Sequence, residues 1–252
     1  LIVDWASKFN WDEVDTVLLD MDGTLLDLHF DSHFWMHHLP QRYSDKHGIP
    51  ADQVIADLQQ RLAARQGTLD WYCTDFWSRE LDIDVVDLKR EVKHLINERP
   101  QCLDFLRALG DRGKKRILIT NAHRDSVDIK FAVTGIQPLL DEVISSHDYG
   151  CPKEDQRFWQ QLQQNLPFDP ARTLFIDDSE PVLRSAQVYG IAHLLAIETP
   201  DSQQAPKICF GIPAIQHFSQ ILNLPNQTEE KTSQQISEKT SAKAKIKGRE
   251  NG

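Results

Sequence analysis

Two aspartates stand two residues apart where an apolar run ends, in "TVLLDMDGTLLD" (16–27). Carboxylates beside Val17, Leu18 and Leu19 are expensive to desolvate unless something compensates them. Asp20 and Asp22 are therefore either a solvated turn or the reason for the run. On an extended segment, positions i and i+2 face the same side. Two carboxylates held together can divide a hydrolytic reaction. One attacks as a nucleophile; the other donates and accepts protons. Gly23 permits a tight turn and close backbone approach. The competing reading is ordinary turn and helix N-cap chemistry, which Asp-Gly-Thr also supplies.

Three later stretches shift the balance. "RILITNA" ends a second apolar run in Thr120 and Asn121, a hydroxyl and following backbone N–H groups of the kind that hold a phosphoryl oxygen. "RTLFIDDSE" ends a third in Asp177 and Asp178. Like unit charges roughly 4 Å apart cost about 4 kcal/mol at an effective dielectric near 20. Four gathered aspartates thus call for a cation, and hard oxygen donors imply Mg²⁺, shared with substrate phosphate and water. "GCPKEDQRFW" places Lys153 in a loop ahead of a helical pattern, where its ammonium offsets phosphate and aspartate charge. Taken singly, these are a strand-end turn, an acidic N-cap and a surface lysine. Taken in order, they are far more specific.

Such a set needs strands that end together. "TVLLD" (16–20), "KRILIT" (115–120), "RTLFID" (172–177), "AHLLAI" (192–197) and a short "EVIS" (142–145) read as buried parallel strands. Continuous apolar runs mean that helices cover both sheet faces. Helical patterns at 102–113, 124–135, 155–166 and 181–190 alternate with them, several closing on Gly. The expected fold class is α/β, a Rossmann-like doubly wound parallel sheet. In such sheets ligands bind at the carboxyl ends of the strands.

Residues 28–99 break the rhythm. No strand pattern occurs there, but helical stretches do ("DQVIADLQQRLAARQG", "LDWYCTDFWSRELD"), with Trp35, Trp71 and Trp77. The expected organisation is an α/β core at 11–27 and 100–225, with a helical cap inserted at 28–99. From Asn226 to Gly252 apolar residues are nearly absent, and a disordered polar tail is expected.

Composition narrows the class. The chain has 252 residues and a formal charge of −10, without a basic stripe. That speaks against nucleic acid or an anionic membrane as partner, but not against a small phosphorylated substrate. No apolar run approaches the roughly 20 residues of a membrane span. The first residues lack the basic segment of a signal peptide. Cys73, Cys102, Cys151 and Cys209 are scattered, which suits a reducing, cytoplasmic setting. They show no CxxC or Cys/His zinc spacing, so no metal–thiolate site is expected. His37 and His38 are adjacent and point apart on a helix, so no zinc is expected there either.

In order, DxDGTL, the strand-end Thr, the loop Lys and the DD after an apolar strand resemble the four motifs of the haloacid dehalogenase-like hydrolase superfamily, over roughly residues 14–200. The resemblance implies a phosphomonoesterase with a Rossmann-like core and an inserted cap. Asp20 would form an aspartyl-phosphate, and Asp22 would serve as acid and then base. Thr120, Asn121 and Lys153 would hold the phosphoryl group. Mg²⁺, for which Mn²⁺ or Co²⁺ could substitute, would be held by Asp20, the main-chain carbonyl of Asp22, and Asp178, ranked above Asp177. An Asp at position 22 implies rapid dephosphorylation.

The finer resemblance is to the bacterial GMP/IMP nucleotidase family. It is carried by Asp15–Leu28 with "HFDSHFW", by "LDWYCTDFWSREL" (69–81), "RILITNAH" (116–123) and "PKEDQRFW" (152–159). It implies hydrolysis of purine 5′-nucleotides. Trp71, Tyr72, Phe76 and Trp77 could stack on a base, and Arg42, Arg61 and Arg65 could pair with its polar groups. The same spacing is also that of a buried helix face. A phosphosugar phosphatase or phosphoglucomutase-type enzyme, and a non-catalytic phospho-ligand-binding protein, are the alternatives.

Overall fold

The computed structural model describes residues 9–207 and 211–222. The tail expected at 226–252, and Cys209, lie outside the described residues. Six strands form one parallel sheet: β1 (Thr16–Leu19), β2 (Lys115–Thr120), β3 (Glu142–Ser145), β4 (Thr173–Asp177), β5 (His193–Ile197) and β6 (Ala214–Ile215). Their order is β3-β2-β1-β4-β5-β6. From β1 the chain winds outward to β3, then returns to the other side of β1 as β4. That reversal opens a crevice at the carboxyl ends of β1 and β4.

Alternating side chains divide the sheet between two cores. Val17, Leu19, Leu118, Leu174 and Ile176 belong to one cluster. Leu18, Ile117, Ile119 and Phe175 belong to the other. With apolar residues on both faces, the strands read as unbroken apolar runs. Two-residue β6 has no such run, and sequence reading missed it.

Between β1 and β2 the regular structure is helical: α1 (His29–His33), a π turn (Phe34–His38), α2 (Leu39–His47), α3 (Ala51–Ala63), α4 (Leu69–Tyr72), α5 (Thr74–Leu81), α6 (Val85–Glu91) and α7 (Cys102–Asp111). The stretch expected as one helix at 69–82 is two. Cys73 adopts extended geometry (φ −86°, ψ 111°) and its sulfur accepts the Phe76 N–H, capping α5. The break leaves Trp71 and Trp77 on different helices. Helices α8 (Arg124–Phe131), α9 (Gln156–Asn165), α10 (Glu180–Tyr189) and α11 (Ser219–Leu222) follow. Among the described residues no helix is long and apolar enough to cross a membrane.

Phe30, Phe34, Leu58, Trp77 and Val85 of the inserted helices share the cluster of Val17 and Leu19. The insert thus packs as a continuation of one sheet-face core.

Candidate active site

Strand register sets the site. Leu19 is level with Leu118 of β2 and Ile176 of β4. One step on, the Asp20 N–H still donates to the Ile176 carbonyl at 3.0 Å, which brings Asp20 level with Asp177. Lys153 fills the space between them. Its ammonium donates to Asp20 Oδ1 at 2.6 Å, to Asp177 Oδ2 at 2.7 Å and to the Ile119 carbonyl at 3.2 Å. Burial opposes the charge on Lys153, but Asp177 and Asp20 outweigh it and hold the ammonium above its usual value. Burial raises both carboxyls, against the pull of Lys153.

Asp177 is fully engaged: its Oδ1 accepts the Ser179 N–H at 2.7 Å. Asp178 Oδ2 accepts from Lys207 at 2.8 Å. Carboxylate oxygens of Asp20, Asp177 and Asp178 lie within 4.8 Å of one another. Such a set of hard donors suits a divalent cation of the magnesium class. Gly23 lets the turn after Asp22 pack close against Asp178. Its φ is +79°, and an added Cβ would come within 2.8 Å of Asp178 Cγ and 2.9 Å of Pro200 Cβ.

Asp22 has a different environment. Its Oδ1 accepts from Lys130 at 2.6 Å. Lys130 also donates to Asp31 at 2.7 Å, and Lys89 reaches the other Asp31 oxygen at 2.8 Å. Burial is the main cause that pushes the Asp22 carboxyl up to about 7; Lys130 opposes it, and Asp31 and Asp20 add to it. Desolvation outweighs the neighbouring carboxylates as the cause. Asp31 is held below the usual carboxylate range, because Lys130 and Lys89 outweigh its burial.

Sequence reasoning missed this lysine–aspartate chain, although a signal existed. Lys89 follows Val85 by four residues and Leu88 by one, on the buried face of α6. Lys130 follows Val127 by three on α8. A lysine on an apolar stripe must be neutralised by something.

Thr120 is buried, and its Oγ1 accepts the Ala122 N–H at 3.0 Å, so the hydroxyl hydrogen remains for a ligand. The Asn121 side chain is committed elsewhere. Its Oδ1 accepts the Lys153 N–H and its Nδ2 donates to Glu154, both at 2.9 Å. The other Glu154 oxygen accepts from Tyr72 OH at 2.9 Å, joining the helices between β1 and β2 to the loop that carries Lys153. Burial, reinforced by Glu154, raises the Tyr72 hydroxyl.

Asp20, Asp22, Thr120, Asn121, Lys153, Asp177 and Asp178 all border one cavity of about 400 Å³. Its opposite wall comes from the insert: Trp35, Met36, Leu62, Trp71 and Tyr72. Of the residues expected to meet a substrate, Phe76, Trp77, Arg42, Arg61 and Arg65 do not border it. Trp77 is 1% exposed and sits behind the wall, its Nε1 donating to the Trp71 carbonyl at 3.0 Å. Arg42 pairs with Glu91 at 3.0 Å on the exposed side. Arg61 binds Asp57 and Glu80, and Arg65 covers the Phe76 ring. His38 also bonds Glu91, at 2.9 Å, while His37 lies against His33. The exposed side chains follow the solvated faces of their helices, and the broken helix at Cys73 turns Trp77 inward.

Residues 14–190 match the family model described as haloacid dehalogenase-like hydrolase. The chain is 40% identical over 212 residues to the GMP/IMP nucleotidase YrfG of Escherichia coli strain K12, covering 84% of this chain and 96% of that protein. It is 25% identical over 191 residues to the pyrophosphatase PpaX of Bacillus pumilus, covering 72% and 82%. The crystal structure of a HAD phosphatase from Thermococcus onnurineus superposes with a TM-score of 0.71 at 22% identity, covering 84% of this chain and 97% of that one.

Proposed function

Because the chain belongs to the haloacid dehalogenase-like hydrolases, we propose that it is a Mg²⁺-dependent phosphomonoesterase that cleaves purine 5′-nucleotides, GMP and IMP, to nucleoside and phosphate. One observation carries the reading: the carboxyl cluster opens into a cavity of about 400 Å³ whose far wall holds Trp35 and Trp71. The cluster suits the phosphate, and flat apolar rings suit a base. The identity to the GMP/IMP nucleotidase supports the same substrate class.

A phosphoric monoester hydrolase of the nucleotidase type must bring a dianion to a carboxylate. Asp20, Asp178 and the Asp22 carbonyl are the ligands assigned to Mg²⁺. Asp177 ranks behind Asp178, since Ser179 N–H and Lys153 already occupy its oxygens. When bound, the ion supplies positive charge that screens phosphate from aspartate.

Lys153 orients Asp20 by its bond to Oδ1, and a carboxylate oxygen attacks phosphorus. The bond to the 5′-oxygen breaks, and that oxygen takes the proton of Asp22. A carboxyl raised to about 7 keeps its proton in about half the molecules at neutral pH. The nucleoside leaves. Asp22, now a base, takes a proton from the water that attacks the aspartyl-phosphate. Phosphate departs and Asp20 is regenerated. Throughout, the Thr120 hydroxyl and the Lys153 charge hold phosphoryl oxygens.

The test is a phosphate-release screen with Mg²⁺ across nucleoside monophosphates and sugar phosphates. GMP and IMP should lead it, and EDTA should abolish release. GMP and IMP at the bottom, below phosphosugars, would overturn the substrate assignment.

A further inference from the structure

A second group of donor side chains lies beside the cavity and plays no part in the chemistry above. Cys73 comes from the break between α4 and α5, His123 from the loop after β2, and His147 from the turn after β3. One ligand atom from each lies within 4.8 Å of the others. Linear spacing hides the set, because each residue belongs to a different segment. The two imidazoles meet edge to face with centroids 4.8 Å apart.

We propose that Cys73, His123 and His147 bind a zinc-class transition metal, which pins the helical insert to the core. One thiol and two imidazoles are the soft and intermediate donors that such ions select, whereas Mg²⁺ prefers oxygen. His147 Nε2 is buried and has no hydrogen-bond partner among the described residues. An orphaned buried nitrogen costs free energy unless it accepts something. The Asp75 carboxylate, 3.8 Å from His123 Nε2, or a water molecule would complete a tetrahedron.

Tetrahedral zinc with bonds of about 2.0–2.3 Å needs ligand atoms roughly 3.3–3.8 Å apart. The ligand atoms lie within 4.8 Å of one another, so binding draws the three side chains together by at most about 1.5 Å. Cys73 directly follows Trp71 and Tyr72 of the cavity wall. The ion would thus tighten that wall against the loop that carries Thr120 and Asn121.

Co²⁺ titration of the untagged, EDTA-stripped full chain tests this without any substrate. One equivalent should produce a thiolate-to-cobalt charge-transfer band that Zn²⁺ displaces. Asp178→Asn should keep the band, Cys73→Ser should lose it, and His147→Gln should weaken Co²⁺ affinity by about tenfold or more. Circular dichroism of each variant checks folding. If Cys73→Ser does not fold, His147→Gln decides alone. No thiolate band in the wild type, a band that survives Cys73→Ser, or unchanged affinity in His147→Gln would overturn the proposal.

Discussion

Lys153 Nζ stands 2.6 Å from Asp20 Oδ1, and both groups are buried. The lysine also neutralises Asp177, so it links the end of the Asp20 strand to the acidic strand beside it. Lys153→Met removes the charge with little change of volume. Breaking a buried pair in this way costs about 3–5 kcal/mol. Urea denaturation should show that loss, and phosphate release should fall with it. Lys153→Arg should not restore activity, because a planar fork does not replace a point charge between two strand ends.

Asp22→Asn should keep the fold and lower kcat by about 10²–10⁴-fold, the usual range for a lost acid–base group. The wild type should lose rate as pH rises through about 7, since burial holds the Asp22 proton only below that value. Stopped assays across pH on wild type and variant check both points. The variant's residual rate should lack that limb.

Trp71 and Trp77 should separate cleanly. Trp71 borders the cavity, so Trp71→Ala should raise KM for GMP about tenfold, in keeping with stacking worth about 1–3 kcal/mol per base. It should leave hydrolysis of p-nitrophenyl phosphate nearly unchanged. Trp77 is core. Trp77→Ala should lower stability by about 3–5 kcal/mol, and thermal melts will read it before kinetics do.

His147 should make the metal-free protein acid-sensitive. Its folded pKa is lowered to about 4 by burial and His123, from the ordinary 6.5. Between those values the unfolded chain binds a proton that the folded chain refuses. Stability is therefore full above about 6.5 and falls as pH drops towards about 4. Melts in EDTA should show Tm falling by a few degrees over that window, with a smaller fall in His147→Gln.

The strands and the motif residues at their ends were legible because both follow local rules. Apolar runs mark β1, β2 and β4, and Asp20, Thr120 and Asp177 come directly after or at the close of those runs. The cap was only partly legible: Trp71 and Tyr72 border the cavity, while Trp77 does not. Extended geometry at Cys73 breaks the helical period over 69–82, so no single helical phase describes both tryptophans. Lys130 and Lys89 were hidden by the habit of reading lysine as surface. Their partner Asp31 lies 99 residues from Lys130, and no local pattern pairs them. The Cys73–His123–His147 group is hidden in the same way, by long-range topology.

The hydrogen-bonded path from Tyr72 through Glu154 to Asn121 and the Lys153 backbone has a consequence for redesign. Position 71 borders the cavity and takes no part in that path, so it can be altered while Glu154 keeps both its partners. At position 72 a side chain without a hydroxyl leaves one Glu154 oxygen unpaired, with Asn121 still holding the other. A change at 71 therefore touches one wall, whereas a change at 72 touches the wall and the Lys153 loop together.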